Sequence, residues 1–225
     1  HFLERDIDKR MDRTRHRPLP MGLVRPGVAA AFGAALVLGG TALLFAEVNA
    51  LAAALAFLSA WLYVCIYTPL KRVSWLNTPM GAIPGAIPPM IGWAAANGRL
   101  DAGAWVLFFI MFLWQHPHFY AIAWMYREDY AKAGIRMLPV VEPDLDSTAR
   151  RILWFSFALV PLSLAPTFMA MAGTVYLIGA VLLSSFVVYA GLEAATMRTL
   201  GGARKVLLAS IVYLPVLYGL LAFDS

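Results

Sequence analysis

Gly27-Val-Ala-Ala-Ala-Phe-Gly-Ala-Ala-Leu-Val-Leu-Gly-Gly-Thr-Ala-Leu-Leu-Phe-Ala46 is a run of twenty residues that contains no charge. A helix rises about 1.5 Å per residue, so the run would cover about 30 Å, the hydrocarbon thickness of a bilayer. Six further stretches are comparably long and predominantly apolar, at about 48–67, 79–96, 103–126, 152–171, 174–194 and 205–222. The chain is 61% hydrophobic and 14% charged, with a mean hydropathy of +0.70. A soluble domain would carry about a quarter charged residues. The pattern predicts an all-α, polytopic transmembrane helix bundle with seven spans. With no linker, low-complexity tract or clear internal repeat, residues 1–225 read as one membrane-embedded domain.

If the spans alternate in direction, 17 of the 18 Lys and Arg fall on one side and only Arg99 on the other. That bias places the basic side in the cytoplasm, as for a protein of a bacterial inner membrane. The basic pI therefore reflects topology, and nucleic acid is not an expected partner. Cys65 is the single cysteine, so there is no disulfide framework. Prolines interrupt several spans, at 84, 88 and 89, at 117, at 161 and 166, and at 215. Gly81 and Gly85 have the spacing that lets helices approach closely. A bundle around a central cavity and an ordinary kinked bundle both fit these features.

The acids are more informative. Positive-inside bias does not call for carboxylates, yet 10 of the 13 Asp and Glu lie on the cytoplasmic side, most of them in segments 1–26 and 127–151. Glu4, Asp8 and Asp12 recur every four residues and would form one stripe on a helix, with Asp6 pointing elsewhere. Stacked carboxylates repel unless a cation lies among them. Mg²⁺ suits a few carboxylates supplemented by phosphate oxygens and water. The alternative is a solvated helix end balanced by Arg5, Lys9 and Arg13. A second acidic pair, Glu128-Asp129, follows the span that ends near Tyr126. Acids for a metal and cations for phosphate oxygens together suit a metal–diphosphate complex, with Arg13, Arg17, Lys71 and Arg72 as the cations. Lys71-Arg72 would otherwise be an interface anchor.

Trp114-Gln-His-Pro-His-Phe119 lies inside a span. Intramembrane polar side chains are costly, which makes Gln115, His116 and His118 candidates for substrate contact or for hydrogen bonds between helices.

Together these residues resemble the UbiA-type intramembrane prenyltransferases, and within them the branch that modifies haem. Glu4, Asp8, Arg13, Thr14, Arg17, Pro18 and Leu19 match the family's N-x-x-x-D/E-x-x-x-D motif and the R-T-x-x-R-P-L that follows it; the motif's Asn would precede His1. Tyr67-Thr-Pro-Leu-Lys-Arg72 resembles the family's basic motif at a span end. Trp114-Gln115, Pro117-His118-Phe119 and Arg127-Glu-Asp-Tyr130 match the haem branch in order and spacing. The quinone-type enzymes carry a second D-x-x-x-D, whereas here Asp129 is followed four places on by Ala133.

The resemblance implies transfer of a farnesyl group from farnesyl diphosphate to a vinyl group of haem b, giving haem O, with Mg²⁺ as cofactor and haem A synthase as a partner enzyme. It implies catalytic roles for Glu4, Asp8, Glu128 and Asp129, with Glu4, Asp8 and Asp129 as metal ligands. Arg13, Arg17, Lys71 and Arg72 would bind diphosphate, and Trp114, Gln115 and His118 would line the haem pocket. His116 lies about 200° round the helix from His118, so only one can face that pocket, and His118 occupies the motif position. The family has nine spans with the acidic motif after the second, so the chain is expected to carry spans three to nine of an N-terminally longer protein. A prenyltransferase acting on a quinone precursor or chlorin, and a cation-coupled transporter, are the other readings; a transporter should show repeat symmetry and a midplane acid.

Overall fold

A computed structural model describes residues 1–142 and 144–225. Helices account for nearly all of the regular structure: α1 (Arg5–Asp8), α2 (Pro26–Glu47), α3 (Ala50–Trp61), a π-helical turn (Leu62–Tyr67), α4 (Thr68–Leu70), α5 (Asn77–Asn97), α6 (Ala102–Met125), α7 (Arg127–Lys132), α8 (Leu138–Val141), α9 (Asp146–Phe168), α10 (Thr174–Met197) and α11 (Leu200–Phe223). No strand occurs among the described residues.

Six helical stretches are long and apolar enough to cross a membrane: α2, Ala50–Leu70, α6, α9, α10 and α11. The seventh expected span does form a helix, α5, of 21 residues. Its glycines and its three prolines make it less apolar than its neighbours. Large apolar side chains point outward along these helices, among them Phe32, Leu36, Trp154, Leu182 and Phe223. Water would not tolerate such a surface and lipid does; the chain is an integral membrane protein.

The chain divides into two compact units. The first comprises His1–Arg99 and Tyr126–Val141. Pro26 opens α2, where its fixed φ suits a first turn and its missing N–H is not needed. Asn49 caps α3 by accepting from the Ala52 amide at 2.8 Å, and its own amide donates to the Ala94 carbonyl of α5 at 2.8 Å. Helix α5 stays helical through Pro84, Pro88 and Pro89. Because Pro88 has no N–H, the Pro84 carbonyl loses its partner one turn on. Ser59 of α3 supplies the replacement, donating at 2.9 Å. In lipid such a substitute partner is what makes a broken helix tolerable. Gly98, at φ +67°, ends α5 in the left-handed conformation that glycine adopts without cost. Cys65 is exposed on the π-helical turn.

The second unit comprises Leu100–Met125 and Glu142–Ser225. Helix α6 packs on α9, α9 on α10, α10 on α11 and α11 back on α6, closing a four-helix bundle. Small residues allow the close approach: an added Cβ at Gly202 of α11 would lie 3.0 Å from the Ala194 Cα of α10. Some polar groups in its core pair across helices. The Tyr176 hydroxyl donates to the Ser163 carbonyl at 2.8 Å, and the Ser163 and Tyr213 hydroxyls bond to each other.

Candidate functional site

The first unit holds a polar cleft of about 170 Å³, lined by Glu4, Asp8, Arg13, Thr14, Arg17, Tyr63, Tyr67, Lys71 and Tyr130 with His1, Met11, Ile135 and Met137. Three pieces of chain build it.

The N-terminal segment supplies the acids. Helix α1 is a single turn ending at Asp8, and the Asp8 amide bonds the Glu4 carbonyl at 2.8 Å, so Glu4 and Asp8 stand one above the other. The expected three-acid stripe stops there. Beyond Asp8 the chain turns repeatedly, and Asp12 points away to an ion pair with Lys132 at 2.9 Å on the exposed surface. That pairing holds the Asp12 carboxyl below, and the Lys132 ammonium above, their ordinary ranges. Asp6 is 70% exposed, as its register predicted, whereas Asp8 is 3% exposed. The Thr14 hydroxyl, itself buried, donates to the Asp8 carbonyl at 2.9 Å and fixes that turn.

The second piece runs from the π-helical turn into α4. In an α-helix, residues four apart drift about 40° per step; a π turn, wound more slowly, cancels much of that drift and often marks a functional site. Tyr63, Tyr67 and Lys71 therefore all border the cleft. Tyr63 and Tyr67 pack edge to face at 5.1 Å, and the Lys71 ammonium sits 4.3 Å from the Tyr67 ring centre. Gly81 of α5 makes room: an added Cβ there would come within 2.6 Å of two Tyr67 ring carbons. Arg72, paired with Lys71 in the sequence reading, is exposed and outside the lining.

The third piece is the segment from Tyr126 to Val141. Its Arg136 amide donates to the Lys71 carbonyl at 2.9 Å, and the buried Asn77 side chain donates to the Arg136 carbonyl at 3.0 Å. These bonds bring Tyr130, Ile135 and Met137 to the cleft wall. Asp129 stays at its edge, 3.4 Å from the Arg13 amide and 3.7 Å from Lys132, and Glu128 is exposed on α7.

Within the cleft, opposite charges are paired. Lys71 bonds Glu4 at 2.8 Å, and Arg17 bonds Asp8 at 3.1 Å. Arg13 reaches the Tyr130 hydroxyl at 3.2 Å and lies 5.1 Å from the Tyr126 ring centre. Burial disfavours the charge on Lys71, but Tyr67 and Glu4 outweigh it and raise the ammonium above its ordinary range. Among the described residues, no three or more His, Cys, Asp or Glu side chains gather to hold a metal. Two hard carboxylates, Glu4 and Asp8, do share one cleft with three cations. Mg²⁺ bound alongside a phosphate compound needs only one or two protein carboxylates, so this donor set fits it. Tyr63, Asn77, Ile135 and Met137 were not among the residues singled out from sequence. The four-residue spacing of Tyr63, Tyr67 and Lys71 was the available signal.

The second unit holds the Trp114–Phe119 residues. Gln115 is buried, its amide donating to the Met111 carbonyl at 3.2 Å. His116 is fully buried; its Nδ1 lies 2.7 Å from the Phe112 carbonyl and its ring stacks on Phe155 of α9 at 3.8 Å. His118 turns to α11, with Nδ1 2.9 Å from the Ser210 hydroxyl and its ring stacked on Trp114 at 4.8 Å. The two histidines thus face different helices, as their 200° separation requires.

Residues 1–221 match the family model described as the UbiA prenyltransferase family. Among curated proteins, a chain named protoheme IX farnesyltransferase from Solibacter usitatus (strain Ellin6076) is 52% identical over 99% of this chain and 76% of its own length. One of the same name from Salinibacter ruber (strain DSM 13855 / M31) is 46% identical over 100% of this chain and 79% of its own. Among solved structures, one described as digeranylgeranylglyceryl phosphate synthase superposes with a TM-score of 0.77 at 20% identity, covering 99% of this chain and 77% of the other. A UbiA homolog from Aeropyrum pernix K1 gives 0.71 at 22% identity, covering 94% and 78%. These two structures share the fold.

Proposed function

Because this chain belongs to the UbiA prenyltransferase family, we propose that it transfers a farnesyl group from farnesyl diphosphate to a vinyl group of haem b, forming haem O. The observation that carries the acceptor and donor is the 52% identity, over 99% of the chain, to a protein named protoheme IX farnesyltransferase. The cleft supports the reading because it places acids and cations together at one site, as a diphosphate and its counter-ion require.

In this reading the paired charges exchange partners. The diphosphate oxygens take Arg13, Arg17 and Lys71, and Glu4 and Asp8 are released from their cations to hold Mg²⁺. The bound ion would neutralise charge on the leaving diphosphate. Breakage of the allylic C–O bond sends its electron pair to the diphosphate, and the preplaced cations meet that charge without reorganising. The π electrons of the haem vinyl group then bond to the farnesyl carbon. Water adds to the resulting cation on the porphyrin side and loses a proton, leaving a hydroxyl group. The Tyr63 and Tyr67 rings offer electron-rich faces beside the departing diphosphate, and Met11, Ile135 and Met137 give the cleft an apolar wall.

Asp129 and Glu128 take supporting places at the rim: Asp129 holds the Arg13 backbone, and Arg72 meets the lipid headgroups. Trp114, Gln115 and His118 are assigned to the haem. Residues 1–225 act as one membrane-embedded domain in a bacterial inner membrane, with the diphosphate cleft facing the cytoplasm and haem A synthase consuming the product. Mass spectrometry of haems extracted from membranes that express the full-length gene tests this. A haem heavier by one farnesyl group and one hydroxyl group is expected, and unaltered haem b beside a prenylated quinone precursor would overturn it.

A further inference from the structure

Ser210 of α11 is fully buried, and its hydroxyl has two close contacts: the Leu207 carbonyl at 2.7 Å and the Nδ1 of His118 at 2.9 Å. A hydroxyl has one proton to donate and lone pairs to accept with. The Leu207 carbonyl can only accept, so the Ser210 proton is directed there. The Ser210 oxygen then meets His118 with a lone pair, and that contact is attractive only if His118 Nδ1 carries a proton. Both bonds are satisfied together by one tautomer, Nδ1–H, which leaves the lone pair of His118 on Nε2.

The ring is held in a second way. Trp114 donates its indole N–H to the Ser210 carbonyl at 2.7 Å, and its face lies against His118 at an interplanar angle of 23°. One residue thus anchors the edge of the imidazole through its hydroxyl and the ring beneath it through its carbonyl. His116 makes an instructive contrast. Its Nδ1–H is also committed, to the Phe112 carbonyl, but its Nε2 is sealed in the protein interior without a partner. The Nε2 of His118 is not sealed in this way, and it has no hydrogen-bond partner among the described residues.

We propose that Ser210 is a positioning residue that presents the Nε2 lone pair of His118 to the iron of the haem acceptor. The proposal rests on the reading that haem b is the substrate. A neutral imidazole whose other nitrogen donates to a fixed acceptor is the usual form of a histidine that binds iron. Ligation at one point holds the macrocycle against sliding and keeps the vinyl group within reach of the transferred carbon. Ser210 therefore acts on the acceptor and leaves farnesyl diphosphate unaffected.

The test is a titration of the purified full-length enzyme with haem b, read by optical and resonance Raman spectra, beside separate binding of farnesyl diphosphate. Wild type is expected to give a nitrogen-ligated haem. His118→Ala should lose that signature and added imidazole should restore it. Ser210→Ala should weaken haem binding by about 10–100-fold, raise KM for haem, and leave the affinity for farnesyl diphosphate unchanged. Ser210→Thr, which keeps the hydroxyl, should stay near wild type. If Ser210→Ala does not fold, Ser210→Cys, whose thiol accepts poorly, makes the same comparison. A wild-type spectrum without a nitrogen ligand, or a Ser210→Ala enzyme with unaltered spectrum and affinity, overturns the proposal while the farnesyl transfer reading stands. A wild-type enzyme that binds no haem overturns the substrate reading, and this proposal with it.

Discussion

The Lys71 ammonium lies 2.8 Å from the Glu4 carboxylate, although 67 positions separate them in the chain. Both are largely buried, and the ammonium also sits 4.3 Å from the centre of the Tyr67 ring. Lys71→Ala removes a charge-assisted contact worth about 1.5–3 kcal/mol. Farnesyl diphosphate affinity should fall by about 10–150-fold on that figure, with haem affinity unchanged. Arg72→Ala should cost much less, since Arg72 is outside the cleft. Isothermal titration of both variants separates them, and equal losses would return the pair to one shared role.

Asp8 and Asp6 give a matched comparison two residues apart. Asp8 is buried against Arg17 and Asp6 is exposed. Asp8→Ala should abolish farnesyl transfer and also destabilise the fold, because Arg17 is left without its buried partner. Asp6→Ala should retain most activity and its melting temperature. Comparable loss of turnover in both would show that the shared face of Glu4 and Asp8 is not what matters.

Gly81 should resist enlargement. The Cβ of Gly81→Ala would fall 2.6 Å from two Tyr67 ring carbons, so the ring must shift from its place beside Lys71. Overpacking of this kind costs about 1–3 kcal/mol. The expected result is a lowered melting temperature and a raised KM for farnesyl diphosphate. Tyr67→Leu in the same chain should relieve the clash and recover stability; if the single variant melts like wild type, the close approach does not constrain the ring.

The raised pKa of Lys71 sets a pH window. Its pairing stabilises the fold fully below the unfolded value of 10.5 and fades as pH rises through the higher folded value. Diphosphate binding should therefore hold steady from neutral pH to about 10 as far as Lys71 is concerned. Lys71→Met should remove the alkaline fall that wild type shows above that point. A wild-type profile that declines well below it would mean another group titrates.

His116→Phe should keep the stack on Phe155 while deleting a buried nitrogen that has no partner. An unsatisfied buried polar atom costs about 1–3 kcal/mol, offset here by the lost bond to the Phe112 carbonyl. Melting temperature should hold or rise, and turnover should persist. Loss of turnover with an intact fold would mean that His116, and not His118, meets the acceptor.

The sequence by itself determined the membrane-spanning helices and the residue types of the cleft. A span depends on a local sum, apolar residues against bilayer thickness, and a run such as 27–46 needs no distant partner to satisfy it. Even there, α5 needed Ser59 of another helix to replace the bond that Pro88 removes. The pairings were decided by tertiary structure. Four-residue spacing put Glu4, Asp8 and Asp12 on one stripe only as long as the helix lasted, and it ends at Asp8, where no apolar face repays continuing it. Adjacent Lys71 and Arg72 parted company because the π-helical turn chose which side chain faces the cleft. The tautomer of His118 was set by a hydroxyl 92 residues away. A hydrogen bond or ion pair is a relation between two atoms, and their separation is written in the fold and not in either residue.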